Sequence, residues 1–217
     1  MVRNQHSFVE HSATSHRPTR LLAGVLVGGA STRIGQPKAM LRYAGRTFAE
    51  LVVAAVAQRA EQVVLLGCGT VPHSLAGLVR LPDPDGIAGP LAGLLAALRW
   101  QPTATWLIVA CDLPLVSVAA LDWLLTQRRP EHWAVLPRAA SGYVEPLLAV
   151  YEPAALKLLE ELARQGQRSP SSLDGCPHVH TPPIPARLRG CWTNINTLED
   201  LRLLDQPADP SRPVPET

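Results

Sequence analysis

Continuous apolar runs along the chain alternate with polar loops and with amphipathic stretches. Residues 21–27 (LLAGVLV), 62–66 (QVVLL) and 105–111 (TWLIVAC) are mostly or wholly apolar. Runs of this length and composition are typical of strands that are buried on both faces of a parallel sheet. The pattern predicts strands over these three segments, and shorter strands over residues 79–81, 132–136 and 144–151.

Amphipathic segments lie between these strands. In residues 47–60, apolar side chains recur at the three- and four-residue spacing of one helix face. The predicted helices span residues 47–60, 90–100, 117–128, 153–165 and 197–204, whereas the proline-rich residues 175–189 are predicted to be irregular. Repeated strand–loop–helix order predicts an α/β fold of three layers (α/β/α) around a mostly parallel sheet.

Composition narrows the class of protein. The chain has 217 residues, of which 47% are hydrophobic and 18% charged, so we expect one globular domain over residues 21–205. Residues 1–20 are polar and residues 206–217 rich in proline, and both are predicted to be disordered extensions. The net charge of +2 is too small for a protein that binds nucleic acid mainly by electrostatic attraction.

The predicted location is the cytoplasm, without membrane attachment. No apolar run is long enough to span a bilayer, and residues 1–20 lack the apolar core of a signal peptide. The four cysteines, Cys68, Cys111, Cys176 and Cys191, form no C-x-x-C pair. We therefore predict buried free thiols in a reducing compartment rather than disulfides or a zinc site.

A glycine-rich loop, residues 28–38 (GGASTRIGQPK), follows the first predicted strand. Gly28 and Gly29 permit a sharp turn whose successive N–H groups can bind an anion. Ser31 adds a hydroxyl donor, and Arg33 and Lys38 add two cations, so the loop predicts a triphosphate site. It is neither a P-loop nor a dinucleotide-binding motif. The alternative is an ordinary loop between a strand and a helix, with solvated charges.

The use of lysine supports the first interpretation. The chain contains 20 basic residues, but Lys38 and Lys157 are its only lysines. Because arginine is the usual base in this sequence, a lysine inside the glycine-rich loop favours a chemical role, although chance placement stays open.

Two aspartates follow predicted strands. In parallel sheets, ligands bind at the carboxyl ends of the strands, where Asp83 and Asp112 are predicted to lie. Asp112 is predicted to hold Mg²⁺ beside a bound triphosphate, the alternative being a cap for the following turn. Asp83, in L-P-D-P-D-G, is either a ligand-facing residue at the strand end or a turn residue.

Three further polar residues later in the chain are candidates. Asn194 and Asn196 alternate, so they share a face if their segment is extended, where their amide groups could bind a phosphate, another polar edge of a ligand or a metal. They could instead cap the last helix. Glu145 interrupts a predicted strand and either orients an acceptor or a cation, or faces solvent.

Several motifs together resemble those of the molybdenum cofactor guanylyltransferase (MobA) family, within the molybdopterin-type nucleotidyltransferases. They are V-G-G-A-S-T-R-I-G-Q-P-K-A-M-L from Val27, G-P-L-A-G from Gly89, C-D-L-P from Cys111, E-P-L from Glu145 and N-I-N-T-L-E-D from Asn194. The resemblance covers roughly residues 21–205. Members often carry an asparagine near the end of the second strand, where this chain has Leu66-Gly67-Cys68.

The resemblance implies a Rossmann-like nucleotidyltransferase fold and a Mg²⁺-dependent transfer of GMP from GTP to the molybdopterin (molybdenum) cofactor, with release of pyrophosphate. Catalysis would then depend on Arg33, Lys38 and Asp112, with Asp112 as the metal ligand. The implied nucleotide-binding residues are Leu26, Val27, Gly28, Gly29, Ser31, Arg33, Lys38, Asp83 and Asp112. The implied acceptor-binding residues are Glu145, Asn194 and Asn196.

Two alternatives remain from the sequence. The chain could use CTP, or act on another small phosphorylated acceptor within the same superfamily, or it could be a non-catalytic nucleotide-binding accessory protein for cofactor delivery. Lys38 and Asp112 argue against the accessory role. In either reading the expected partners are small molecules, with neither nucleic acid nor membrane. Transient contacts with other cofactor-biosynthesis or molybdoenzyme-maturation proteins are also predicted.

Overall fold

The computed structural model describes residues 19–28 and 35–204. Nearly all of the two predicted disordered extensions, residues 1–20 and 206–217, therefore lies outside the described residues. Gly29, Ser31 and Arg33 of the glycine-rich loop also lie outside them, so their predicted roles stay predictions.

A seven-stranded sheet forms the centre of the fold, with the strand order β5-β4-β1-β6-β8-β7-β9. Its strands are β1 (Leu21–Leu26), β4 (Gln62–Leu66), β5 (Val79–Leu81), β6 (Thr105–Ala110), β7 (Ala134–Val135), β8 (Leu148–Tyr151) and β9 (Val179–His180). A separate two-stranded hairpin consists of β2 (Arg42–Tyr43) and β3 (Arg46–Thr47).

The sheet is parallel except for β8. β1 pairs in parallel with β4 on one side and with β6 on the other, and β4 pairs in parallel with β5. β8 runs antiparallel to both β6 and β7. The prediction of a mostly parallel sheet is confirmed, and the carboxyl ends of β5, β4, β1 and β6 lie side by side at one edge.

Helices cover both faces of the sheet. The α-helices are α1 (Phe48–Val56), α2 (Pro90–Trp100), α3 (Val118–Thr126), α4 (Ala155–Arg164) and α5 (Leu198–Leu204). α1 and α3 pack into one hydrophobic cluster against the sheet, and α2 and α4 pack into another. The three-layer α/β/α prediction is thus confirmed. Among residues 19–28 and 35–204, no helix has the length and apolar character needed to cross a membrane.

Several element boundaries differ from the predictions. The strand predicted from residue 144 begins only at Leu148, because Pro146 has no N–H to donate to a neighbouring strand. The segment predicted to be irregular contains the edge strand β9, and the hairpin β2–β3 was not predicted. These strands have two residues each, which is too short for a periodic pattern.

Helix α1 begins later than predicted because Thr47 is its N-cap. Thr47 Oγ1 accepts a hydrogen bond from Glu50 N at 3.3 Å, and Thr47 N donates to Glu50 Oε2 at 2.7 Å. This reciprocal capping box satisfies two N–H groups at the helix start. Glu50 also accepts from Ser74 Oγ, and the Ser74 and Thr47 donors together lower the pKa of Glu50 to about 2.

We predict that Thr47→Ala lowers the free energy of unfolding by about 1 kcal/mol, since it removes the N-cap acceptor. Urea denaturation followed by circular dichroism measures this difference. Thr47→Ser keeps the hydroxyl and is the matched control, expected to lose less than half as much. Equal losses for the two variants would show that the buried methyl group, not the cap, carries the effect.

Candidate functional site

The carboxyl ends of four neighbouring parallel strands surround a cavity of about 960 Å³. Leu26, Val27 and Gly28 line it at the end of β1, and Asp83 lines it after β5. Asp112 lines it after β6. The cavity therefore lies where ligands bind in open parallel sheets, and the sequence-predicted residues on these three strands share it.

Lys38 lies at the centre of a polar cluster in this cavity. Its Nζ donates to Asp112 Oδ2 at 2.8 Å and to Asn196 Oδ1 at 2.5 Å. The three residues are far apart in sequence, so only the folded chain brings them together. The side chains of Lys38 and Asp112 are 26% and 18% exposed, and such partial burial makes their ion pair less screened than one on the surface.

Backbone hydrogen bonds place Asp112 and Asn196 beside each other. Cys111 N donates to Leu26 O at 3.0 Å, which continues the β1–β6 pairing up to the residue before Asp112. Ile195 N donates to Asp112 O at 3.0 Å. The segment that carries both candidate asparagines is therefore attached directly to the backbone of Asp112.

The cap of helix α5 is formed by Thr197 and Asp200 rather than by the asparagine side chains. Asp200 Oδ2 accepts from Asn196 N and Thr197 N, each at 2.8 Å, and Thr197 Oγ1 accepts from Asp200 N at 3.1 Å. The Asn196 side chain is thereby available to contact Lys38. Asn194 lies two residues earlier and is half-buried.

One oxygen of Asp112 has the properties of a metal ligand. Oδ1 is buried and, within the part of the chain that the structure describes, accepts no hydrogen bond. A buried carboxylate oxygen without a donor is energetically costly unless a cation satisfies it. The described residues contain no cluster of three or more acidic, histidine or cysteine ligands. Mg²⁺ does not need one, because it is commonly held by one or two carboxylates together with substrate phosphates and water.

Glu145 is a second carboxylate near Asp112, and it lies outside the lining of the cavity. Its backbone N donates to Pro137 O at 2.7 Å, and its side chain is partly buried rather than facing solvent. Burial, and after it the negative charge of Asp112, raise the pKa of Glu145 to about 7. Glu145 therefore lies within electrostatic reach of Asp112 and can exchange a proton near neutral pH.

Asp83 lies at the other end of the cavity. Three strand spacings separate β5 from β6 in the sheet, or about 14 Å. Burial raises the pKa of the Asp83 carboxyl. The cavity thus has a charged end at Lys38 and Asp112 and a second end at Asp83, and this separation divides the predicted nucleotide-binding residues into two groups.

A turn after β4 closes the second end of the cavity. Gly67 has a φ of +90°, and a Cβ placed on it would lie 3.2 Å from Gly28 Cα. Cys68, Gly69 and Thr70 follow it and line the cavity. This turn was not predicted to be part of the site, although its two glycines next to a strand end were a signal for it.

The prediction that Cys68 is buried was wrong. Cys68 is exposed, because β4 ends at Leu66 and the turn carries the next residues out of the sheet. Cys111 is buried as predicted, and burial raises its pKa to about 12. Cys176 and Cys191 are partly buried, and none of the four cysteines, all of which the structure describes, forms a disulfide.

Comparisons with known proteins identify similar chains. Residues 23–176 match the family of MobA-like NTP transferase domains. A "Probable molybdenum cofactor guanylyltransferase" from Bacillus anthracis is 30% identical over 183 residues, which cover 81% of this chain and 91% of the relative. A "Molybdenum cofactor biosynthesis bifunctional protein" from Synechocystis sp. is 34% identical over 155 residues. That match covers 70% of this chain but only 45% of the bifunctional protein.

A solved structure has the same fold. The molybdopterin-guanine dinucleotide biosynthesis protein A of Archaeoglobus fulgidus is 27% identical, with a TM-score of 0.70. The superposition covers 84% of this chain and 96% of that protein. The predicted Rossmann-like nucleotidyltransferase fold is therefore confirmed.

The titration of Glu145 gives a testable pH dependence. Its pKa is about 7 in the folded chain and 4.5 as an ordinary glutamate, so the native state binds more protons than the unfolded state between these values. Wild-type stability contributed by this group is complete below pH about 4.5 and is lost as the pH rises through about 7. Glu145→Gln has no ionisable group at this position and does not lose this stability. The stability of the variant relative to wild type should therefore rise between about pH 4.5 and pH 7.

We expect that rise to be on the order of 1 kcal/mol, because partial exposure screens the carboxylate. Urea denaturation from pH 4 to pH 8, in EDTA to exclude bound metal, measures it. Glu131→Gln, at an exposed glutamate, is the matched control. A difference between Glu145→Gln and wild type that stays constant over the whole pH range would contradict the assignment.

Proposed function

Because the chain belongs to the family of MobA-like NTP transferase domains and is a nucleotidyltransferase, we propose that it transfers GMP from GTP to the molybdopterin cofactor. The observation that carries this proposal is the Lys38 ammonium group, which is held between Asp112 and Asn196 in a cavity at the sheet edge. The names of the relatives from Bacillus anthracis and Archaeoglobus fulgidus support the choice of guanine nucleotide and molybdopterin acceptor.

The proposed reaction is an in-line displacement at the α-phosphorus of GTP. An oxygen of the acceptor's terminal phosphate forms the new P–O bond, while the bond from the α-phosphorus to the α,β-bridging oxygen breaks. Pyrophosphate leaves with that electron pair, and GMP becomes attached to the acceptor through a pyrophosphate linkage. No covalent intermediate with the protein is required, so catalysis would come from positioning and from stabilising negative charge.

Lys38 is the proposed centre of charge stabilisation. Asp112 and Asn196 hold its ammonium group in place before substrate binds, so little reorganisation is needed when negative charge develops on the phosphates. The predicted phosphate donors Gly29, Ser31 and Arg33 belong to the same glycine-rich loop. They would add N–H, hydroxyl and guanidinium donors around the triphosphate.

A divalent cation, in our proposal Mg²⁺, fits the charged end of the cavity. Asp112 would hold it through the buried Oδ1, and phosphate oxygens and water would complete its coordination. When bound, Mg²⁺ would neutralise part of the negative charge of the phosphates. Asp112 would then contact the cation through one oxygen and Lys38 through the other, which fixes the orientation of its carboxylate.

The acceptor is proposed to approach from the side of Glu145 and the segment that carries Asn194 and Asn196. The Asn196 side chain already contacts Lys38, and Glu145 lies within electrostatic reach of Asp112. A protonated Glu145 can donate a hydrogen bond to an acceptor phosphate, whereas an ionised Glu145 would repel it. Asn194 remains a proposed acceptor-binding residue at a neighbouring position.

A direct assay tests the proposed reaction. Purified chain is incubated with α-³²P-labelled GTP, Mg²⁺ and molybdopterin, and the products are separated by chromatography. We expect a labelled dinucleotide form of the cofactor together with pyrophosphate. Absence of the labelled product, while a known guanylyltransferase forms it in parallel, would reject the function.

Lys38→Ala and Asp112→Asn should each lower kcat/KM by about 30-fold to 1000-fold, equivalent to about 2–4 kcal/mol of transition-state stabilisation. The expected cause is loss of one preorganised charge contact at the phosphates. Initial rates of guanylylation at several GTP concentrations measure the effect.

Matched controls are available for both substitutions. Lys157→Ala removes the other lysine of the chain. Lys157 lies on helix α4, and its Nζ is 6.0 Å from the centre of the Trp133 ring. Asp122→Asn changes a surface aspartate that pairs with Arg59. Both controls are expected to retain wild-type kcat/KM. Product formation by Lys38→Ala at the wild-type rate would instead favour a role in binding without turnover.

The choice of base is tested by thermal shift with GTP, CTP, ATP and UTP, each with Mg²⁺. A ligand that binds only the folded state raises Tm according to its concentration relative to Kd. We expect GTP to give the largest rise. A larger rise with CTP would reject the guanylyl assignment and favour a cytidylyltransferase, while leaving the nucleotidyltransferase class intact.

A further inference from the structure

Arg80 forms hydrogen bonds with the turn that follows β4, residues 67–70. It lies on β5, and its Nε donates to Gly67 O at 2.9 Å. One of its terminal nitrogens, Nη2, donates to Gly69 O. The guanidinium therefore bridges two carbonyl groups of one short turn, and hydrogen bonds from a charged donor are stronger than those between neutral groups.

The turn is packed tightly on the end of β1, so its position affects the cavity wall. Gly67 N donates to Leu81 O at 2.8 Å, which attaches the start of the turn to β5. A Cβ on Gly69 would collide with the carbonyl oxygen of Val27. Only a glycine fits there, and a small movement of the turn would displace Cys68 and Thr70, which line the cavity.

Peptide geometry determines where the other halves of these amide groups point. The described chain contains no cis peptide bond, and in a trans peptide the C=O and N–H groups point in opposite directions. Because the Gly67 and Gly69 carbonyls point towards Arg80, the N–H groups of Cys68 and Thr70 point away from it. Within residues 19–28 and 35–204, neither N–H donates to a backbone carbonyl.

We infer that Arg80 is a positioning residue that directs the Cys68 and Thr70 N–H groups into the cavity as hydrogen-bond donors for the base of a bound nucleotide. The base is assigned to this end because the phosphates belong at Lys38 and Asp112, and Asp112 follows β6, which lies two strand spacings, or about 10 Å, from β4. Two N–H donors beside the Asp83 carboxylate suit a base edge that carries both an acceptor oxygen and N–H groups.

This inference rests on the proposed function only in that the cavity binds a nucleoside triphosphate. It assigns a role to a residue that does not itself line the cavity. It also gives a reason why this chain can have Leu66-Gly67-Cys68 where members of the family often carry an asparagine. Backbone N–H groups can donate hydrogen bonds to a ligand there without a polar amide side chain.

The test compares a nucleotide with a probe that has phosphates but no base. Dissociation constants of GTP and of inorganic tripolyphosphate, each with Mg²⁺, are measured by isothermal titration calorimetry for wild type, Arg80→Ala and Arg80→Lys. We expect Arg80→Ala to weaken GTP binding about 10-fold, as misplacing two hydrogen-bond donors implies, and to change tripolyphosphate binding less than about 2-fold.

Arg80→Lys keeps the charge but lacks the two-pronged guanidinium, so GTP binding should fall between wild type and Arg80→Ala. It also keeps the test valid if Arg80→Ala does not fold. Arg59→Ala, which removes a surface arginine paired with Asp122, is the matched control and should bind both probes as wild type does.

The outcomes separate this inference from the proposed function. If wild type binds GTP and the Arg80 variants bind it equally well, or lose GTP and tripolyphosphate affinity in equal proportion, the inference is overturned and the proposed function stands. If wild type fails to bind GTP, the proposed function is overturned and this inference with it.

Discussion

The contact between Lys38 and Asp112 is the interaction on which the arrangement of the site depends. Two partly buried charges are costly unless each neutralises the other, so neither side chain can be placed independently. Asp112 reaches its position because β6 pairs in parallel with β1, and residues 35–38 place Lys38 in the cavity at the same strand ends. Asn196 then joins the cluster from the far end of the chain, through the hydrogen bond from Ile195 N to Asp112 O.

The single antiparallel strand of the sheet has a consequence for this cluster. β8 pairs with β6, and the residues just before β8 therefore lie beside the carboxyl end of β6. Tyr151, at the end of β8, donates from its buried hydroxyl to Pro146 O at 2.9 Å, which fixes the residue next to Glu145. Glu145 is thus brought near Asp112. Burial, together with the negative charge of Asp112, raises the pKa of Glu145 to about 7.

The cavity combines two kinds of recognition at its two ends. At β6, charged side chains and a carboxylate oxygen that finds no hydrogen-bond donor among the described residues suit phosphates and a cation. At β4 and β5, a glycine turn braced by Arg80 forms a wall of backbone groups beside Asp83. The charged side chains could be recognised from residue types, whereas the direction of the peptide groups depends on the conformation of the folded turn.

The sequence by itself determined the family, the three-layer fold with its mostly parallel sheet, and the strand ends at which Asp83 and Asp112 lie. It could do so because buried strands leave continuous apolar runs, and because motifs in the correct order imply a shared fold. Only the tertiary structure decided that Asn196 contacts Lys38, that Cys68 is exposed and that Arg80 braces a turn of the cavity wall. These features depend on contacts between residues distant in sequence and on the direction of peptide groups, neither of which leaves a local pattern in the chain.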